Sequence, residues 1–333
     1  MSIITKNVGI VGATGVVGRE LLSILEEKKI KPAKLVLMAS QRSAGSTIPF
    51  SGDEVEVVET KVEQFASLDL VFFATTSALT RELAPEAVKA GAVCVDNSSV
   101  YRQDPEVPLI VPEINAHELK NHKGIIANPN CSTIIMLLPL AVLHEKWKIK
   151  KIIVSTYQAA SGAGAAAMEE LRVQTNQLLK GEEVVPEVFK YPIGFNLFSH
   201  DSPMEDNGYC QEENKMIRET HKILGDPSIE VSPTTIRVPI LRAHSESINV
   251  LFEKKPNVDE ARQAIEAGEG MSLIDDRENN RFPMPLDVNG KDDVVVGRIR
   301  DDLTQDYSLN LFVVGDQIRK GAALNAIQIA ERL

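Results

Sequence analysis

The 333 residues include only three cysteines, Cys94, Cys131 and Cys210. Cysteines so few, and odd in number, exclude a disulfide framework and fit a reducing, cytoplasmic compartment. Positive charge is also scarce. Thirty-six Lys and Arg stand against 47 Asp and Glu, for a formal net charge of -11. No Lys/Arg cluster breaks that acidity, so neither nucleic acid nor an anionic membrane is expected as a partner. No apolar run nears 18 residues without a charge, a Pro or a polar break, so no membrane span is expected. The opening "MSIITKNVGIVGATG" enters a strand pattern at once and lacks the parts of a signal peptide. Repeats, low-complexity tracts and metal-ligand clusters are absent too. What remains, 43% hydrophobic and 25% charged, is the composition of a globular chain with a sizeable core, long enough for one large domain or two ordinary ones.

Residues 1–127 alternate short apolar runs with amphipathic segments. "VGIVG" (8–12), "KLVLMAS" (34–40), "LDLVFFAT" (68–75), "GAVCVDNSS" (91–99) and "GIIAN" (124–128) read as strands, and 18–30 and 80–91 as helices between them. This pattern predicts a doubly wound, mostly parallel α/β sheet. Beyond 128 the texture changes. Segments 148–162, 229–240, 244–255 and 309–318 are longer strand candidates, with helices at 164–181 and 258–268. They predict an α+β domain around a mostly antiparallel sheet. Residues 282–290 read as a loop and 319–333 as an Ala-rich amphipathic helix.

In "VGIVGATGVVGRELL", Gly12, Gly15 and Gly18 follow a strand and open a helix. Glycines there allow a tight turn and close approach of a pyrophosphate to a helix N-terminus. The spacing is G-x-x-G-x-x-G, which only approximates the usual dinucleotide fingerprint. The bland alternative is a tight turn with no ligand. An NAD site places an acid at the end of the second strand. Here that strand ends "LMASQRSAG", with Ser40, Arg42 and Ser43 and no acid. A guanidinium and two hydroxyls suit a 2′-phosphate, so NADP is expected over NAD.

"NPNCST" (128–133) lies between a strand-like and a helix-like run. A thiol at a helix N-terminus favours its thiolate, and Asn130, Ser132 and Thr133 can cap that end. Cys94, inside "AVCVD", reads as core filler, and Cys210 as incidental. A nucleophile needs a proton-transfer partner. His117, His122, His144 and His221 lie in charged helical stretches and read as solvated. His200 could line a cleft or cap a loop. His244 follows a strand that carries Arg237, a pairing suited to a small anion, although a structural histidine is the commoner case.

Ten segments in order resemble the aspartate-β-semialdehyde dehydrogenase family: "GIVGATGVVGREL", "SQRSAG", "DNSSVYR", "NPNCST", "TYQAASGAG", "DNGYCQEENKM", "RVPILRAHSES", "ENNRFPMPLD", "GKDDVVVGRIR" and "GAALNAIQIAE". They span nearly the whole chain. The resemblance implies Cys131 as the nucleophile of an acyl-thioester, His244 as acid/base and Gln158 as orienter of the acyl group. It implies Arg237 on a substrate α-carboxylate and Glu212 on its amino group, with Arg102, Asn130 and Lys215 on phosphate. It places Gly12, Thr14, Gly15, Val16, Val17, Ser40, Arg42, Ser43, Ser161, Gly162 and Asn325 at an NADP site.

The implied domains are 1–127 with 316–333, binding NADP, and 128–315, carrying catalysis and a homodimer contact. The implied reaction reduces L-aspartyl 4-phosphate to L-aspartate 4-semialdehyde, in biosynthesis of lysine, diaminopimelate, threonine, methionine and isoleucine. Two departures stand out. "SHDSPMEDNGY" is more polar, at Ser199, Asp201 and Ser202, than the family's usual "PHID" stretch, and "DNSSVYR" has Val-Tyr where Ala-Phe is commoner. The runner-up family, N-acetyl-γ-glutamyl-phosphate reductase, usually has a Gly and a Tyr beside its cysteine, where Asn130 and Ser132 stand here, and its substrate has no ammonium for Glu212. A non-catalytic NADP-sensing Rossmann protein would leave Cys131, Gln158 and His244 without a use.

Overall fold

The structure, a computed structural model, describes residues 3–333. The chain forms two compact units. One runs to Asn130 and takes up Ala322–Leu333, and the other is Cys131–Gly321. Both breaks fall a few residues beyond the expected 127/128 and 315/316.

The first unit contains β1 (Asn7–Val11), α1 (Val16–Glu27), β2 (Lys34–Ala39), β3 (Thr47–Phe50), β4 (Asp53–Glu59), β5 (Leu70–Phe73), α2 (Ser77–Lys89), β6 (Val93–Asp96), α3 (Pro112–Asn115) and β7 (Ile125–Ala127). Its sheet has the order β3-β4-β2-β1-β5-β6-β7. All neighbours run parallel except β3 and β4. Every side chain of "LVFF" in β5 is buried, as a strand covered on both faces requires. α1 buries Leu21, Leu22, Ile24 and Leu25 along one stripe. Between β2 and β4 the chain makes a hairpin instead of a crossover helix. Its turn residues, Ser51 and Gly52, both have positive φ, at 50° and 84°, which matches the twist of a two-residue hairpin. From β1 the chain winds one way to β2 and later the other way to β5. The strand order reverses there, at the carboxyl ends of β1 and β5, where ligands of such sheets bind.

The second unit contains α4 (Cys131–Trp147), β8 (Ile149–Gln158), α5 (Ala165–Leu179), β9 (Phe198–Ser199), α6 (Gln211–Leu224), β10 (Glu230–Arg237), β11 (His244–Phe252), α7 (Val258–Glu266), β12 (Met271–Leu273), α8 (Pro285–Val288), β13 (Val294–Asp301) and β14 (Ser308–Gly315). The sheet order is β12-β13-β14-β11-β8-β10-β9. It is antiparallel except where β10 joins β8 and β12 joins β13. From Ile134 to Leu143 α4 is apolar on every side and almost wholly buried, packed on β8, β11, β13 and β14, and only its last turn, at Glu145 and Lys146, is exposed. Past Gly321 the chain re-enters the first unit as α9 (Leu324–Glu331). No helix among the described residues is long and apolar enough to cross a membrane.

Several expectations need correction. The 282–290 loop holds α8, one turn started by Pro285 at its first position. The C-terminal segment begins with π-type turns at Arg319–Ala323, and α9 buries six of its eight residues instead of one stripe. Three histidines expected to be solvated are bound internally. His122 Nδ1 accepts the Gly124 N–H (3.2 Å), His144 Nδ1 accepts the Ile149 N–H (3.1 Å), and His221 Nε2 meets the Ile229 carbonyl (2.8 Å). Cys210 is not incidental: it is buried at the N-cap of α6.

Candidate active site

The three glycines of the first unit differ in what demands them. A Cβ on Gly12 would lie 2.2 Å from the Ala74 carbonyl oxygen, and its φ is +83°. A Cβ on Gly18 would lie 2.3 Å from the Gly12 carbonyl oxygen. Packing alone requires both. At Gly15 a Cβ would meet only the Gly12 oxygen, at 3.3 Å. Gly15 is exposed, has negative φ, and is the N-cap of α1 without any side chain capping that end. Its bare backbone leaves the helix N–H groups accessible to an outside anion. Thr14, Val16 and Val17 flank it, partly exposed. Ser40 and Arg42 are exposed on the turn straight after β2, with Ser43 half-buried beside them. The Ser43 and Ala44 N–H groups both donate to the Ser40 carbonyl (2.9 and 3.1 Å), which fixes the turn. Open helix N–H groups near a guanidinium and hydroxyls fit a phosphate-bearing dinucleotide.

Three other predicted residues belong to this unit. Arg102 is buried and donates to the Asn97 carbonyl (2.9 Å). Asn130 is buried and ends the unit. The Asn325 amide donates to the Ile110 carbonyl (2.9 Å) and to Asn128 Oδ1 (2.6 Å), so it ties α9 down.

Within the second unit, strand register gathers residues far apart in sequence. Arg237, the last residue of β10, pairs directly with Gln158, the last of parallel β8. β11 runs antiparallel to β8, so its first residue, His244, arrives at the same end. Cys131 opens α4 there, partly exposed. Gly321 lets a second backbone segment pass: a Cβ on it would lie 2.8 Å from Cys131 Cβ. Gln158 Nε2 donates to Ser132 Oγ (2.7 Å) and to Glu212 Oε1 (3.1 Å). Lys215, one turn along α6, donates to Glu212 Oε2 (3.0 Å). Gln158 Oε1 is buried with no hydrogen-bond partner. A Cβ on Gly162 would lie 3.1 Å from Arg237 Nη1 and 3.3 Å from His244 Cε1, so glycine keeps that space open. Ser161 beside it accepts from Gln317 Nε2.

The Arg237 guanidinium is 4% exposed. It donates through Nη1 to the Ala159 carbonyl (2.8 Å), touches His200 Nε2 through Nη2 (2.9 Å) and sits over the Phe189 ring. Its Nε–H, also buried, has no partner. Burial lowers its pKa, opposed by Asp201 and Glu212. His244 is 1% exposed, and its Nδ1 accepts the Ala159 N–H (3.0 Å). The proton of the neutral ring is therefore on Nε2. Burial first, and then the Arg237 charge, push its pKa down to about 3.

A family model described as "Semialdehyde dehydrogenase, NAD binding domain" matches residues 7–122, and one described as "Semialdehyde dehydrogenase, dimerisation domain" matches 140–320. The aspartate-semialdehyde dehydrogenase of Prochlorococcus marinus is 50% identical over 324 residues, 97% of this chain and 94% of that one. The chain belongs to the aspartate-semialdehyde dehydrogenase family. The Bacillus subtilis enzyme of that name is 43% identical, over 98% of this chain and 97% of its own. Among solved structures, aspartate semialdehyde dehydrogenase II of Vibrio cholerae, complexed with ASA, superposes with a TM-score of 0.96 at 40% identity, over 99% and 98% of the two chains. The Candida albicans enzyme with NADP superposes at 0.76 and 27% identity, over 99% and 98%. Family membership makes the chain an oxidoreductase with a nicotinamide-binding domain and a place in amino-acid biosynthesis.

The sequence did not reveal three contributors to the second-unit cluster. Ala159 acts through its backbone alone, which no side-chain pattern records. Ser132 reads as a helix cap but takes the Gln158 amide. His200 meets Arg237 only because β9 pairs with the end of β10, Phe198 opposite Arg237; a two-residue strand gives no periodicity to detect.

Proposed function

We propose that this chain catalyses the NADP-dependent reductive dephosphorylation of L-aspartyl 4-phosphate to L-aspartate 4-semialdehyde, through a thioester on Cys131. The observation that carries this reading is the gathering of Gln158, Glu212, Arg237 and His244 at the strand ends of the unit that Cys131 opens. The substrate presents an α-carboxylate, an α-ammonium and a phosphate. Arg237 complements the first and Glu212 the second, and Arg102, Asn130 and Lys215 complement the third. Cys131 attacks the acyl carbon, and phosphate leaves with the electrons of the broken C–O bond. Backbone N–H groups at the start of α4 and the His244 Nε2–H stabilise the acyl oxygen as charge builds on it. His244 thus works first as a neutral donor, and acid/base transfer at Nδ1 would require its bond from Ala159 to break.

Bound NADPH supplies the hydride that reduces the acyl carbon. The tetrahedral adduct on Cys131 then collapses to aldehyde and thiolate, and Gln158 keeps the acyl group in place. Thr14 to Val17 would cradle the cofactor pyrophosphate, Ser40, Arg42 and Ser43 its 2′-phosphate, and Ser161 and Gly162 its nicotinamide end. The product would serve the lysine, diaminopimelate, threonine, methionine and isoleucine routes, in the cytoplasm.

The active species would be a homodimer. The name of the matched dimerisation domain supports this, as does a sheet face on which Ile153 is 43% exposed and Ser247 is also exposed.

The test is direct. With aspartate semialdehyde, phosphate and NADP, NADPH absorbance should rise only when phosphate is present, and not for Cys131→Ala, which should still bind NADP. Arg42→Ala should weaken NADP by about tenfold or more, as loss of a charge-assisted phosphate contact would, and NAD far less. Phosphate-independent or absent reduction would refute the reaction, and equal losses for both cofactors would refute the 2′-phosphate assignment.

A further inference from the structure

The sequence leaves His200 between lining a cleft and capping a loop. It is half-buried just after β9, with its Nε2 2.9 Å from Arg237 Nη2. Its other nitrogen, Nδ1, accepts the Ser202 backbone N–H (3.2 Å). Burial holds its pKa below the usual histidine range, with Glu212 opposing and Arg237 reinforcing. A neutral imidazole has one lone-pair nitrogen and one N–H. Here two N–H groups, from Ser202 and Arg237, address the two ring nitrogens. Whichever tautomer forms, one of them faces a donor. Nearby, the buried Arg237 Nε–H has no partner. An anionic oxygen settled against both side chains removes the conflict. It accepts from Arg237 and from His200 Nε2–H, while Ser202 keeps Nδ1.

We propose that His200 is a second donor for the substrate α-carboxylate, sharing one of its oxygens with Arg237. The assignment rests on the reading that Arg237 takes that carboxylate. His200 is then a binding residue that helps select substrates bearing the anion, placed beyond the reacting carbon.

The test is a substrate-deletion cycle: steady-state kinetics with saturating NADP and phosphate, using aspartate semialdehyde and 3-aminopropanal, which lacks the α-carboxylate. His200→Ala should raise KM for aspartate semialdehyde about tenfold, the scale of one charge-assisted hydrogen bond, with kcat changed less than about twofold. It should leave kcat/KM for 3-aminopropanal unchanged. His200→Gln, whose amide can still donate, should recover most of the lost affinity. A similar loss on both substrates would assign His200 a structural role, and no loss on either would remove it from the site; each overturns the proposal. Failure of the underlying reading looks different: Arg237→Ala would lose no discrimination between the two substrates, or wild type would turn over neither.

Discussion

At the scale of single residues, the strongest constraints come from missing atoms and bound protons. Gly12 and Gly18 leave no room for a Cβ, whereas one on Gly15 would face outward and press only on the Gly12 oxygen, at 3.3 Å, a contact that a small shift relieves. Gly12→Ala and Gly18→Ala should each destabilise the first unit by about 1–3 kcal/mol or more, the cost of overpacking and strain. Gly15→Ala should leave the melting temperature within about 2 °C of wild type, a surface-sized effect, yet weaken NADP binding severalfold. Calorimetry and fluorescence titration separate the cases; a Gly15→Ala protein that binds NADP normally would remove the cradle. His244 makes a second prediction. Its folded pKa, about 3, lies below the unfolded value near 6.5. Below pH 6.5 the unfolded chain takes up a proton that the folded ring refuses, so stability falls as pH drops toward 3. The slope approaches about 1.4 kcal/mol per pH unit for one such group. His244→Asn should flatten that acid limb in denaturant titrations between pH 4 and 6.5, with the lowered His200 leaving a smaller remainder.

At the scale of elements, β11 carries an exposed face, an end at the candidate site and a liability. Glu246, two residues beyond His244, is fully buried with neither carboxyl oxygen hydrogen-bonded, and burial holds its pKa well above the usual range. Its cross-strand neighbour Thr156 also has an unpartnered hydroxyl. A raised acid pKa means that the folded state keeps a proton the unfolded state has released, so stability falls as pH rises above about 4.5. Glu246→Gln should remove that decline, measured as the unfolding midpoint from pH 5 to 9; an unchanged slope would mean that Glu246 does not titrate in folding. Elements of this kind also mark what the sequence could tell. Periodicity located β1, β5, β8 and β11, because apolar runs there answer to burial, and the junction at Cys131 marked the start of α4. It missed the β3–β4 hairpin, α6 and α8. α6 is mostly polar, and its buried Met216, Thr220 and Ile223 make a thin stripe. The residues of the candidate site were readable through motifs, but their meeting was not. It depends on Arg237 facing Gln158 in a parallel pair of strands while His244 enters antiparallel, a matter of register.

At the scale of the molecule, self-association offers the clearest test. The sheet of the second unit has α4 on one face and α8 over part of the other, where Val288 joins Val295, Val314 and Phe312. The middle of that second face, with Ile153, Tyr157 and Leu251, is left partly exposed. A second copy laid there would bury apolar surface. Light scattering should give twice the chain mass for wild type. Ile153→Asp should shift the protein toward monomer without unfolding it, since the position already tolerates water; a monomeric wild type would refute the dimer.

The unequal glycines bear on how such chains change over time. A descendant that lost its cofactor would still be held to Gly12 and Gly18, because folding needs them with or without a ligand. Only the middle glycine would be released to drift. An intact strand–turn–helix signature therefore testifies to architecture, and the identity of its middle residue is where a vanished nucleotide would leave its trace.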